Sequence, residues 1–195
     1  MSKPLSSVRH FAHVHDDLPA FHAGYLVLTI LVASLLNLGV FGLLIIAHMA
    51  LDYVKYREHH GFSWRRTMEG MVRESLVDIA LLGVGVVFAV YFHHTVGLAS
   101  LSGLLRAEMT VVRAAGLLVP KAKILHDFLK VISHVRHYID QVHPRHTLGW
   151  SRLDRFCFLT LALSVLLVVA TPALMGVEAS TVIRILQYEL IPFRF

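Results

Sequence analysis

Cysteine is all but missing from this 195-residue chain, and charge is thin. The single thiol, Cys157, excludes an internal disulfide and a cysteine-built metal cage. With 16% charged residues against 56% hydrophobic ones, and a mean hydropathy of +0.64, an ordinary soluble domain is excluded as well. H-E-x-x-H, the P-loop and G-x-S-x-G are absent, so the common zinc-protease, nucleotide and serine-hydrolase signatures give no lead. No repeat, low-complexity tract or linker divides the chain, and residues 1–195 read as one integral-membrane domain. A polar stretch at residues 1–22, followed by an oily run too long for a signal-peptide core, does not fit a cleavable signal.

What the chain does have is long apolar runs. No charge occurs from Ala23 to Ala47, where ~20 apolar residues suffice to cross a bilayer. A second run starts at Ile79 and a third extends from Phe156 to Val177. The fold class expected is all-α, a polytopic membrane helix bundle. Its spans fall at about 23–51, 75–98, 98–119 and 154–176, with amphipathic helices at about 121–143 and 178–190.

The span at 98–119 is the difficult one, because it carries Arg106, Glu108 and Arg113. Positive charge arbitrates. If this segment crosses, twelve Lys and Arg (five in loop 52–74, seven in loop 120–155) fall on one side and four on the other. That split obeys the positive-inside rule better than three spans do, and puts both termini outside the cytoplasm. The expected location is therefore a multi-pass cell membrane, a prokaryotic inner membrane. A formal charge of +5 follows from the same loops, so no nucleic-acid partner is expected; the lipid bilayer is, together with other membrane subunits or further copies of the chain.

Fourteen histidines stand out. His10, His13 and His15 lie in the polar N-terminal tail with Asp16 and Asp17, and read as a solvated segment. In the segment 121–143, Ile124, Phe128, Val131, Ile132, Val135 and Ile139 make an apolar stripe. His126, Lys130, His134 and His137 make a polar one, best placed along the cytoplasmic membrane face.

Polar groups inside the apolar runs are costly and more often functional. Asn37, His48 and Asp52 share one face of the first span, and Glu74 and Asp78 share one face of the second. An antiparallel hairpin sets the two pairs level, so one imidazole and three carboxylates converge at the cytoplasmic mouth. Such a set suits a divalent metal ion or the passage of protons. It equally suits a boundary cluster in which Lys55 and Arg57 neutralise Glu74 and Asp78. His22, His93 and His94 lie near the opposite end of the first two spans, where two facing imidazoles would ligate haem b. Three functions follow as expectations: a cation- or proton-handling bundle, a non-catalytic membrane subunit docking a partner, and a haem-binding anchor.

Overall fold

The computed structural model describes residues 27–33, 35–93, 103–140 and 149–192, and for 103–109 the backbone helix alone. The N-terminal histidine cluster, His22, His94 and the side chains of Arg106 and Glu108 lie outside the described residues. Among those residues the chain is 88% helix with no strand. Among the described residues, three helices are long and apolar enough to cross a membrane: Leu38–His59, Trp64–Tyr91 and Arg152–Met175.

The first apolar run is not one rod. Residues 27–33 are helical, the chain bends at Leu36–Asn37, and α1 then runs Leu38–Tyr53 and continues through a π-helical turn, Val54–His59. Asn37 causes the interruption. Its side-chain oxygen accepts from the Val40 N–H at 3.3 Å, an N-cap in the middle of an oily stretch. Its amide donates to the carbonyls of Tyr188 at 3.3 Å and Ile191 at 2.6 Å. Ala33 is buried in one cluster with Phe41, Ile45, Ile124 and Leu125, so the segment before the bend shares the core of the helices that follow.

A turn at residues 60–63 joins α1 to α2 (Trp64–Tyr91). Gly61 takes φ +65° there, a left-handed value that a side chain rarely adopts. The two helices lie antiparallel, with Leu38 against Gly85 and His48 against Asp78. The expected loop 52–74 thus shrinks to four residues, because the charged flanks on both sides remain helical.

α3 spans Gly103–Ser133 and runs back along α2: Gly116 sits under the Phe88 ring, and Ile124 and Leu125 reach the level of Ile45. This single helix replaces the separate span 98–119 and amphipathic helix 121–143. It continues straight through Pro120, which withholds one N–H from the Gly116 carbonyl without ending the helix. The break comes at His134, after which α4 (Val135–Asp140) makes a short cap over the π-helical turn.

α5 (Arg152–Met175) opens on a capping box between Ser151 and Asp154 and ends at Gly176, φ +63°. It runs parallel to α2. Asp154 meets Arg73 near the start of both, and the Tyr91 hydroxyl donates to the Leu167 carbonyl at 2.9 Å near their ends. α6 (Ala179–Leu190) then turns back across that end and lays its last residues on the start of α1. A Cβ at Gly39 would lie 2.3 Å from the Leu190 carbonyl oxygen, a backbone atom that cannot step aside. Gly39→Ala is therefore expected to cost about 1–3 kcal/mol, read as a lowered midpoint in thermal unfolding of the detergent-purified protein. An unchanged midpoint would mean that α6 does not dock at the bend.

Candidate functional site

The site is built from one face of α1, one face of α2 and a single side chain from α4. A spacing of four residues keeps His48 and Asp52 on the same side of α1, and the π-helical turn carries Lys55 and Tyr56 into the same bundle interior. All four are buried; Asp52 is 0% exposed and Lys55 1%. Opposite them, Glu74 and Asp78 occupy one face of α2 with the same spacing.

The pairs meet across the hairpin. His48 Nδ1 lies 3.7 Å from Asp78 Oδ2. Lys55 Nζ lies 3.6 Å from Glu74 Oε1, and the Tyr56 hydroxyl donates to that same oxygen at 2.7 Å. The Lys55 ammonium sits between two aromatic faces, 4.8 Å from the Tyr56 ring centre and 4.2 Å from that of Tyr138. Lys55, one of the two cations weighed from the sequence as neutralising this cluster, thus faces Glu74. Arg57 takes no part: it donates to the Phe62 carbonyl at 2.9 Å.

Tyr138 completes the site. Its hydroxyl lies 3.1 Å from His48 Nε2 and donates a hydrogen bond to Asp52 Oδ1. Burial, and after it the negative charge of Asp52, hold the phenol above its ordinary pKa, so Tyr138 remains a proton donor. The other oxygen of Asp52, Oδ2, is buried with no hydrogen-bond partner among the described residues.

Asp78, His48, Tyr138 and Asp52 therefore form one series of three contacts. The two contacts of Tyr138 are hydrogen bonds. The 3.7 Å approach of His48 to Asp78 is an ion pair when the imidazole is protonated. Each contact is therefore favourable with a hydrogen on one of its two heavy atoms. A neutral imidazole and a phenol supply two, so the series is complete only when it binds one further proton, on the imidazole or on a carboxyl. Lys55, Glu74 and Tyr56 form a second group beside it, touching the series where Lys55 lies over the Tyr138 ring. Among the described residues no three His, Cys, Asp or Glu side chains converge as metal ligands do.

A cavity of about 660 Å³ lies over this floor, bounded by α2, α3, α4 and the start of α5. Lys130, His134 and His137 of the polar stripe are exposed and also line it. Ile132 and Val135 from the apolar stripe are exposed.

The remaining sequence candidates stand apart. Asn37 holds the bend at the far end of α1. Arg113 is half-buried on α3, and His93 closes the end of α2, its N–H 3.4 Å from the Val90 carbonyl. Sequence reasoning missed Tyr138, Tyr56 and Lys121. The Lys121 ammonium donates to the Leu36 carbonyl at 2.6 Å, a backbone oxygen at the bend. A lysine directly after Pro120, at the end of an apolar run, was the available signal.

No known protein family, curated protein or solved structure matches this chain.

Proposed function

We propose that the chain is a proton-handling membrane bundle whose working groups are His48, Asp52, Asp78 and Tyr138. The observation that carries this reading is the buried series, which has two hydrogens for three contacts while His48 is neutral and both carboxylates are ionised. It ends on an Asp52 oxygen without a hydrogen-bond partner among the described residues. A proton added at one end is passed by exchanging donor and acceptor roles at His48 and Tyr138. A buried carboxylate oxygen without a donor is costly, and a proton there removes the cost. The alternative within the same class, a bound divalent cation at His48, Asp52, Glu74 and Asp78, is less well supported. Glu74 already has Lys55 and Tyr56, and Asp52 Oδ1 already has Tyr138.

The site works in a bundle of four crossings in a prokaryotic inner membrane. Direction supports that number. α2 and α5 run the same way, so a chain that crosses in both must cross back between them, and α3 is the helix that does so. Its 31 residues reach about 46 Å at 1.5 Å per residue, ample for a bilayer. The basic segment 120–155 then lies on the cytoplasmic side, with the far half of α3 and α4 as its amphipathic helix. A reporter active only in the cytoplasm, fused after Phe195, is expected to stay silent; activity there would contradict four crossings. A second reading, a subunit that docks a partner in the membrane, draws on α5, where Leu159 is 68% and Val169 72% exposed.

The proton reading is tested in sealed vesicles holding the purified protein and a pH-sensitive dye. With potassium and valinomycin setting the voltage, the protein is expected to dissipate an imposed pH gradient, and Asp52→Asn to slow this at least about tenfold. Vesicles indistinguishable from protein-free ones would overturn it. So would a stoichiometric metal that is lost in His48→Ala and kept in His134→Ala, since that pattern belongs to a ligand site.

A further inference from the structure

The charges lining the cavity are equal in number but separated in space. On the floor, Lys55 is paired with Glu74, which leaves Asp78 facing His48. On the opposite wall, Lys123 is paired with Asp127 one helical turn on, which leaves Lys130 without an ion partner among the described residues. After these pairs, one carboxylate is balanced only by the titratable imidazole of His48, and one ammonium has no ion partner among the described residues. His134 and His137 stand beside Lys130 and add ring N–H donors at the mouth.

An anion alone would meet Lys130 but also the carboxylate of Asp78; a cation alone would meet the reverse. A molecule with one positive and one negative group, a few bonds apart, satisfies both walls. The apolar part of the lining adds a direction. Leu153 borders the cavity and begins a stripe on α5 that continues through Phe156, 63% exposed, and Leu163, 51% exposed. Those residues occupy one face of a membrane-length apolar helix, so a hydrocarbon chain leaving the cavity has a surface to follow.

We propose that the cavity binds the headgroup of a zwitterionic phospholipid. The phosphodiester rests against Lys130, His134 and His137, the ammonium faces Asp78, and an acyl chain lies along Leu153, Phe156 and Leu163. At about 660 Å³ the cavity accommodates a headgroup with its glycerol. This goes beyond proton handling and stands without it, since binding is measured with no gradient across a membrane.

The test is lipid retention by the full-length detergent-purified protein, read by native mass spectrometry. Phosphatidylethanolamine and phosphatidylglycerol with identical acyl chains are compared. The ethanolamine lipid is expected to be retained at roughly tenfold lower concentration, and Lys130→Glu to abolish that preference while Lys130→Arg keeps it. Lys130 is exposed, so these variants are expected to fold. Soluble phosphoethanolamine separates two sources of the same chemistry. If it displaces the lipid, the headgroup alone is recognised; if it does not while the preference persists, the acyl chain on α5 contributes. Equal retention of the two lipids, or a preference unchanged in Lys130→Glu, would overturn the proposal.

Discussion

Replacing Arg73 with Met is expected to destabilise the bundle by about 3–5 kcal/mol, the cost of leaving a buried charge without its partner. Arg73 is 4% exposed and Asp154 3% exposed. Their side chains approach to 3.5 Å, and the same guanidinium nitrogen donates to the Gly149 carbonyl at 3.3 Å. The guanidinium carbon also lies 5.5 Å from the centre of the Trp150 ring, so one side chain gathers the start of α5 onto α2. Asp154 keeps its bond from the Ser151 N–H at 2.8 Å when Arg73 is lost, but its charge is no longer balanced. The double variant Arg73→Met with Asp154→Leu removes both charges and is expected to cost less than Arg73→Met alone. Chemical unfolding in detergent checks both. A loss below about 1 kcal/mol for Arg73→Met would mean that water reaches the pair, as it does at exposed ion pairs.

The second large effect is functional. Tyr138→Phe is expected to lower proton flux at least about tenfold while the fold persists. Phe fills the same space, but the contact from His48 and the donation to Asp52 both vanish, and with them the only link that joins the imidazole to that carboxylate among the described contacts. The aromatic face over Lys55 remains, so the Lys55–Glu74 pair keeps its setting. Wild-type flux in Tyr138→Phe would show that protons take a route that bypasses Asp52.

Part of this site is legible in the sequence for a simple reason. Two residues four apart share a helical face whatever the tertiary fold, and a hairpin of two apolar helices must be antiparallel. His48, Asp52, Glu74 and Asp78 therefore form one neighbourhood on spacing alone. The partner from α4 is different. Tyr138 lies 86 residues from Asp52, and its arrival depends on α3 continuing through Pro120 and breaking at His134. Neither event is dictated by the local pattern: proline ends most helices but is tolerated where neighbours pack around the freed carbonyl.

The same long-range packing sets which face of α3 and α4 points inward. Periodicity finds two stripes in residues 121–143, and the hydrophobic one is assigned to protein or lipid by habit. In a membrane bundle lipid accepts the apolar stripe, so Lys130, His134 and His137 border a polar cavity while remaining exposed. The bend at Asn37 was hidden for a related reason. Composition registers an uncharged run, whereas the interruption arises from an amide that caps α1 and reaches α6 at the other end of the sequence.

The most direct measurement of the proton series is infrared difference spectroscopy of the membrane-embedded protein during a pH titration. The carbonyl stretch of a protonated carboxyl, distinct from that of a carboxylate, is followed in the wild type, Asp52→Asn and Tyr138→Phe. Proton storage in the buried series predicts a carboxyl band that appears or vanishes as one proton is taken up, is absent in Asp52→Asn and shifts in Tyr138→Phe as the phenol bond is lost. A band identical in all three proteins, or no titrating band from either a buried carboxyl or the His48 ring, would contradict it.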